Sequence, residues 1–223
     1  MNLPNKITFT RVIIIVVMIV SLFVLEIIGS INADFRIGNI ADTTINPVNL
    51  GVAILFIIAA STDWLDGYLA RKNNQVTDLG KFMDPLADKL LVNSILIFLC
   101  ANQSYVDGAN QYTIPVFLVI IMLVRDFAVD GLRLVAVTRK KIIAANIFGK
   151  AKTVAQMVVI PLLLLGGWPF SLIPDYSTWN QYLRIETILL IATTILSVIA
   201  GVVYFIQNKH VFKEDKPNEA KEV

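Results

Sequence analysis

Along this chain, apolar runs of about 20 residues alternate with short polar links, and a run of that length lets an α-helix cross a hydrocarbon core. The runs predict six spanning helices, at about Val12 to Ile28, Leu50 to Arg71, Gly80 to Ala101, Tyr112 to Thr138, Gly149 to Gly167 and Tyr182 to Gln207. Gly29 supplies a stop for the first of them. The more polar stretch Met1–Arg11 predicts a short interfacial segment ahead of the first span. The fold class expected is an all-α integral membrane protein, with one membrane domain over residues 1–207 and a polar cytoplasmic tail over 208–223.

Composition agrees, with 56% hydrophobic and 16% charged residues. The net charge of +2 says less than where the charges lie. Lys and Arg gather at the amino terminus, in the links 71–81 and 139–152, and in the tail. The loop over 29–48 holds Arg36 as its one basic residue, and the loops over 102–111 and 168–181 hold none. By the positive-inside bias both termini face the cytoplasm of a multi-pass cell-membrane protein. The lone Cys100 excludes an internal disulfide and a cysteine metal cluster. The one histidine, His210, sits in the tail, which argues against a Ser-His-Asp hydrolase built from this chain. No cleavable leader and no nucleic-acid partner are expected. A repeat of paired halves is not evident, which counts against an inverted-repeat transporter.

Chemistry concentrates in Ser61–Asp88. At about 100° per residue, Asp63, Asp66, Gly67, Ala70 and Arg71 share one helix face, and Gly80, Asp84 and Asp88 share another on the next segment. Two helices meeting at this hairpin can aim four carboxylates at one point. Such groups cost several kcal/mol each inside a membrane, about 3 kcal/mol at the helix centre on insertion scales. Either some are protonated or divalent cations compensate them, and an all-oxygen donor set suits Mg²⁺ or Mn²⁺. The plainer alternative has the acids capping helices or pairing with Arg71, Lys72, Lys81 and Lys89. Four acids at i, i+3 and i, i+4 spacing on adjacent helices favour the metal reading, and two ions held by aspartates are a recurrent device for phosphoryl transfer. Gly67, Ala70 and Gly80 leave room beside the acids for a ligand, or for close helix packing.

The spacing Asp63-x-x-Asp66-Gly67-x-x-Ala70-Arg71, eight residues, then Gly80-x-x-x-Asp84-x-x-x-Asp88 resembles the signature of the CDP-alcohol phosphatidyltransferase family at every position. The resemblance implies a six-helix membrane enzyme that transfers a phosphatidyl group from CDP-diacylglycerol to an alcohol and releases CMP, acting as a homodimer. It implies Asp63, Asp66, Asp84 and Asp88 as ligands of two Mg²⁺ or Mn²⁺ ions and Asp88 also as the base toward the acceptor hydroxyl. Gly67, Ala70, Arg71 and Gly80 are implied around the CDP moiety. Asn5, Thr8 and Arg11, which keep to roughly one side of a helix, are candidate donor contacts.

The acceptor needs other residues. Arg125 and Arg133 lie eight apart on nearly one face of the fourth helix, and Lys150 and Lys152 open the fifth. Cations on facing helices make a site for a phosphorylated acceptor, while Lys140 and Lys141 fit positive-inside topology better. Arg125 lies about 12 Å deeper than Arg133 by helix rise and needs a partner, either Asp126 or the carboxylate cluster. The stretches NLPNKITFTR and RDFAVDGLRLVAV…GKAKTVAQ resemble the glycerophosphate branch of the family, with Asp126 where that branch usually has Glu after its Arg. This implies sn-glycerol 3-phosphate as acceptor, phosphatidylglycerol phosphate as product and an active site facing the cytoplasm. Inositol phosphate or phosphatidylglycerol as acceptor, and a cation transporter with an acidic membrane site, are the alternatives.

Overall fold

The computed structural model describes residues 3–32, 34, 37–38, 40, 45–72, 78–101, 114–139, 147–175, 180 and 182–209; the side chains of 3–8, 63–72, 78–82 and 84–85 lie outside that description. The regular elements among these residues are helical. They are α1 (Leu3–Ile31), α2 (Pro47–Lys72), α3 (Asp78–Cys100), α4 (Val116–Thr138), α5 (Ile147–Leu164) and α6 (Ile185–Asn208), with one 3₁₀ turn at Phe170–Leu172.

Local chemistry sets the ends. The Asn46 side chain accepts a bond from Val48 N–H at 2.9 Å, so it caps α2, and Pro47 takes the first helical position, where its missing N–H costs nothing. At the end of α5, Gly167 N–H reaches Leu162 O at 2.9 Å and Gly166 N–H reaches Leu163 O at 3.1 Å. This pairing needs a left-handed residue, and Gly166 supplies it at φ 62°. The helix therefore stops at Leu164, short of the expected Gly167. Gly167 is also left-handed, and a Cβ there would lie 2.8 Å from the Glu186 carboxyl group, so α5 ends packed on the start of α6.

The amino-terminal stretch does not form a separate element. One continuous helix runs from Leu3 to Ile31, and Arg11 on it is only 2% exposed. Phe9–Ile31, Ile147–Leu164 and Ile185–Asn208 are long and apolar enough to cross a membrane, with mean hydropathies of 3.1, 1.5 and 2.5. The apolar part of α2 that is described, Pro47–Thr62, is shorter. α4 has the length but carries Arg125, Asp126, Asp130 and Arg133 at its centre.

Ile15, Phe56, Leu91, Ile95, Ile160 and Leu163 anchor a core shared by α1, α2, α3 and α5. A smaller cluster of Val129, Leu132, Ala136 and Tyr204 closes the seam between α4 and α6. Phe23, Phe127 and Val137 remain exposed on the outside, as expected where lipid replaces water. On α6 the buried Thr193 and Thr194 hydroxyls each donate to the carbonyl one turn back at 2.8 Å. Long apolar helices with apolar exteriors together describe a membrane protein.

Candidate functional site

The two Asp-bearing segments lie on consecutive helices, α2 and α3. Asp63, Asp66, Gly67, Ala70 and Arg71 fall in about the last three turns of α2, and Gly80, Asp84 and Asp88 in about the first three of α3. Of these eight, only Asp88 has a described side chain; the side chains of the other seven, and of Asn5 and Thr8, lie outside the described residues. Arg11 is buried on α1.

Asp88 is half-buried and lines a cavity of about 230 Å³. The same cavity receives Arg125 and Arg133 from α4, Lys150 and Lys152 from α5, and Tyr204 from α6. All four cations expected from helical spacing, and the expected base, therefore share one space. The volume falls below the range of about 300–1,000 Å³ that suits drug-sized ligands, so a small molecule fits it.

Periodicity explains the geometry on α4. Its buried stripe runs Leu118, Met122, Asp126, Val129 and Leu132, and Asp126 takes a core position in that stripe. A carboxylate there requires compensation, and it finds two cations. Lys152 Nζ donates to both Asp126 oxygens at 2.6 Å, and Arg125 Nη1 donates to Oδ1 at 2.9 Å. The side chains of Lys152 and Asp126 are only 7% and 9% exposed. One turn on, Asp130 pairs with Lys89 of α3. Arg133 Nε donates to the Tyr204 hydroxyl at 3.1 Å, and its guanidinium carbon lies 5.6 Å from the ring centroid. A Cβ on Gly201 of α6 would stand 2.9 Å from Arg125 Cγ, so the missing side chain there makes room for the arginine stem.

Among the described residues the wall of this cavity carries five cations, Lys89, Arg125, Arg133, Lys150 and Lys152, against three carboxylates, Asp88, Asp126 and Asp130. The excess of positive charge fits a small anion such as a phosphate monoester. Sequence reasoning did not single out Asp130, Tyr204 or Gly201. Asp130 carried a signal, since it lies one turn from Asp126 on the same helix. Tyr204 and Gly201 carried none, because their roles depend on α6 packing against α4.

The profile of the CDP-alcohol phosphatidyltransferase family matches residues 1–199. This chain belongs to that family. Its members generally use divalent metals. A CDP-diacylglycerol–glycerol-3-phosphate 3-phosphatidyltransferase of Bacillus subtilis is 39% identical over 219 residues, covering 95% of this chain and 97% of that protein. A protein of the same name from Rickettsia felis is 34% identical over 213 residues, covering 95% and 97%. Another, from Mycoplasma pneumoniae, is 41% identical over 160 residues, covering 71% and 66%. The family match spans the aspartate-bearing segments of α2 and α3 and the wall residues of the cavity except Tyr204.

Proposed function

We propose that this protein transfers the phosphatidyl group of CDP-diacylglycerol to sn-glycerol 3-phosphate, giving phosphatidylglycerol phosphate and CMP. The relatives similar over nearly its whole length carry the name of that reaction. The observation that carries the reading is the cavity in which Asp88, at the end of the family's aspartate series, shares a wall with Arg125, Arg133, Lys150 and Lys152.

On this reading the four cations hold the acceptor's phosphate dianion, with Arg133 and Lys150 contacting it most directly and Arg125 and Lys152 supplying positive potential from their bonds to Asp126. The acceptor's primary hydroxyl oxygen attacks the β-phosphorus of the donor. The bond from that phosphorus to the bridging oxygen breaks, CMP departs with the electron pair, and Asp88 takes the hydroxyl proton. Gly67, Ala70, Arg71 and Gly80 surround the CDP moiety, and Asn5, Thr8 and Arg11 contact the donor. The all-carboxylate set Asp63, Asp66, Asp84 and Asp88 has the chemistry to hold two Mg²⁺ or Mn²⁺ ions. When bound, such ions neutralise charge on the phosphate oxygens.

The topology proposed is six spans, with both termini and the active site on the cytoplasmic side of the cell membrane. The supporting features are six long helices among the described residues and the gathering of Lys and Arg in alternate links. The membrane domain comprises residues 1–207, with 208–223 as a polar tail, and the working form is a homodimer. The test is to incubate purified protein with CDP-diacylglycerol, Mg²⁺ and a panel of glycerol 3-phosphate, inositol phosphate, phosphatidylglycerol and serine, and to measure CMP. Release specific to glycerol 3-phosphate is expected. Release with another acceptor would reassign the substrate, and cation flux in liposomes without CDP-lipid would favour a transporter.

A further inference from the structure

The fourth and fifth helices supply Arg125, Arg133, Lys150 and Lys152 to the cavity, while α6 is apolar over most of its length and has no part in the sequence signature. Yet both α4 arginines are fitted to it. Arg125 occupies the space that Gly201 leaves, and Arg133 one turn pair further on meets Tyr204, three residues after Gly201. Tyr204 is 2% exposed, locked into the α4–α6 seam beside Val129, Leu132 and Ala136. A ring so confined is a fixed reference for a long and otherwise mobile side chain.

The contact is specific in its atoms. Arg133 donates through Nε, the nitrogen nearest its stem, to the Tyr204 hydroxyl at 3.1 Å. A guanidinium has five N–H donors in a planar fork, so a bond through Nε uses one of them and leaves the donors of both terminal amino groups for other acceptors, on a residue that lines the cavity. The ring also lies 5.6 Å from the guanidinium carbon, restraining the plane of the fork a second way. Two-point recognition of phosphate depends on that plane, because parallel N–H bonds must meet two oxygens together.

We propose that Tyr204 is a positioning residue for the transfer reaction, setting the affinity for the acceptor's phosphate monoester by holding the Arg133 fork in its binding orientation. This rests on the acceptor reading of the cavity given above. Tyr204 does not touch the reacting atoms; its effect reaches the acceptor through Arg133. Gly201 serves the same purpose for Arg125, since any side chain there pushes on the arginine stem at 2.9 Å.

The test is a steady-state titration of glycerol 3-phosphate at saturating CDP-diacylglycerol and Mg²⁺, in detergent micelles, following CMP. The proteins are the parent, Tyr204→Phe, Arg133→Ala and the double variant. Phe keeps the ring and the packing of the seam and removes one hydrogen bond to a charged group. We expect Tyr204→Phe to raise the apparent KM for glycerol 3-phosphate by roughly tenfold, with kcat and the KM for CDP-diacylglycerol within about twofold of the parent. In the Arg133→Ala background the same change should add less than about twofold, because the partner through which it acts is gone. An unchanged acceptor KM in Tyr204→Phe overturns the proposal, as does a full further loss on top of Arg133→Ala. Should Tyr204→Phe elute as aggregate, Arg133→Lys takes its place, keeping the charge and losing both the planar fork and the Nε donor to Tyr204; an acceptor KM equal to the parent's is then the overturning result. A parent that releases no CMP with glycerol 3-phosphate defeats the transfer reading and this inference together; an active parent matched by Tyr204→Phe defeats only the inference.

Discussion

Replacing Asp126 by Asn removes one negative charge from between two cations while keeping the shape of the side chain. Lys152 Nζ sits 2.6 Å from both carboxylate oxygens, and Arg125 Nη1 lies 2.9 Å from one of them. At an effective dielectric of about 20, a pair of unit charges at that 2.6 Å separation attracts by about 6 kcal/mol before desolvation is counted. Taking the two ions out of water costs several kcal/mol each, so the intact pair contributes little net stability. Removing one partner is different, because the desolvation of Lys152 remains and its compensation is gone; such changes cost about 3–5 kcal/mol. Folded proteins are stable by about 5–15 kcal/mol, so the loss is a large fraction of the whole. In a thermal melt of detergent-solubilised protein, Asp126→Asn should unfold on the order of 10 °C below the parent. A phosphate dianion bound in the cavity supplies the missing charge. Glycerol 3-phosphate at about 100 times its dissociation constant stabilises any binding protein by about 2.7 kcal/mol, and tighter binding to the variant should make its rise in melting temperature the larger one. Asp126→Glu retains the charge and should fall between the two. A melt of Asp126→Asn within about 2 °C of the parent, with both proteins responding equally to glycerol 3-phosphate, would refute a compensating role for the Asp126 charge.

Three further outcomes are expected. Asp63→Ala or Asp84→Ala should abolish phosphatidyl transfer while the protein still inserts and purifies; full activity in either variant would remove the metal assignment. Lys152→Ala should raise the apparent KM for glycerol 3-phosphate more than that for CDP-diacylglycerol, and equal effects on both would place the acceptor elsewhere. Gly166→Ala forces a Cβ into the left-handed turn that ends α5 and should destabilise the protein by about 1 kcal/mol without changing either KM, which thermal melts and kinetics check together.

Much of this architecture can be read from the apolar runs, since the second to sixth expected spans each overlap a helix that begins and ends within about four residues of it, while α1 begins at Leu3, well before the expected Val12, because the polar start continues the helix. The discrepancies have local causes. Asn46 and Pro47 start α2 three residues earlier than the apolar run suggests, by a capping signal that hydropathy alone overlooks. Gly166 ends α5 before the apolar run is spent. The site divides in the same way. Helical spacing placed Arg125, Arg133, Lys150 and Lys152 on faces that can converge, and the structure brings them to one cavity with Asp88. Spacing says which face a residue occupies and not what lies opposite. Lys152 therefore reads in the sequence as a ligand-facing cation, while in the fold its ammonium is enclosed by the Asp126 carboxylate. The bond from Arg133 to Tyr204 joins residues 71 apart, and no pattern within one helix foretells it.

The central claim is that a cationic cavity beside the aspartate series receives a phosphorylated alcohol and joins it to the lipid. Its most direct measurement is the stoichiometry of a single reaction: purified protein, CDP-diacylglycerol, glycerol 3-phosphate and Mg²⁺, with lipid products resolved by mass spectrometry. One phosphatidylglycerol phosphate should appear for each CMP, and both should vanish when glycerol 3-phosphate is omitted. CMP formed at the same rate without that acceptor, or without a matching lipid product, would contradict it.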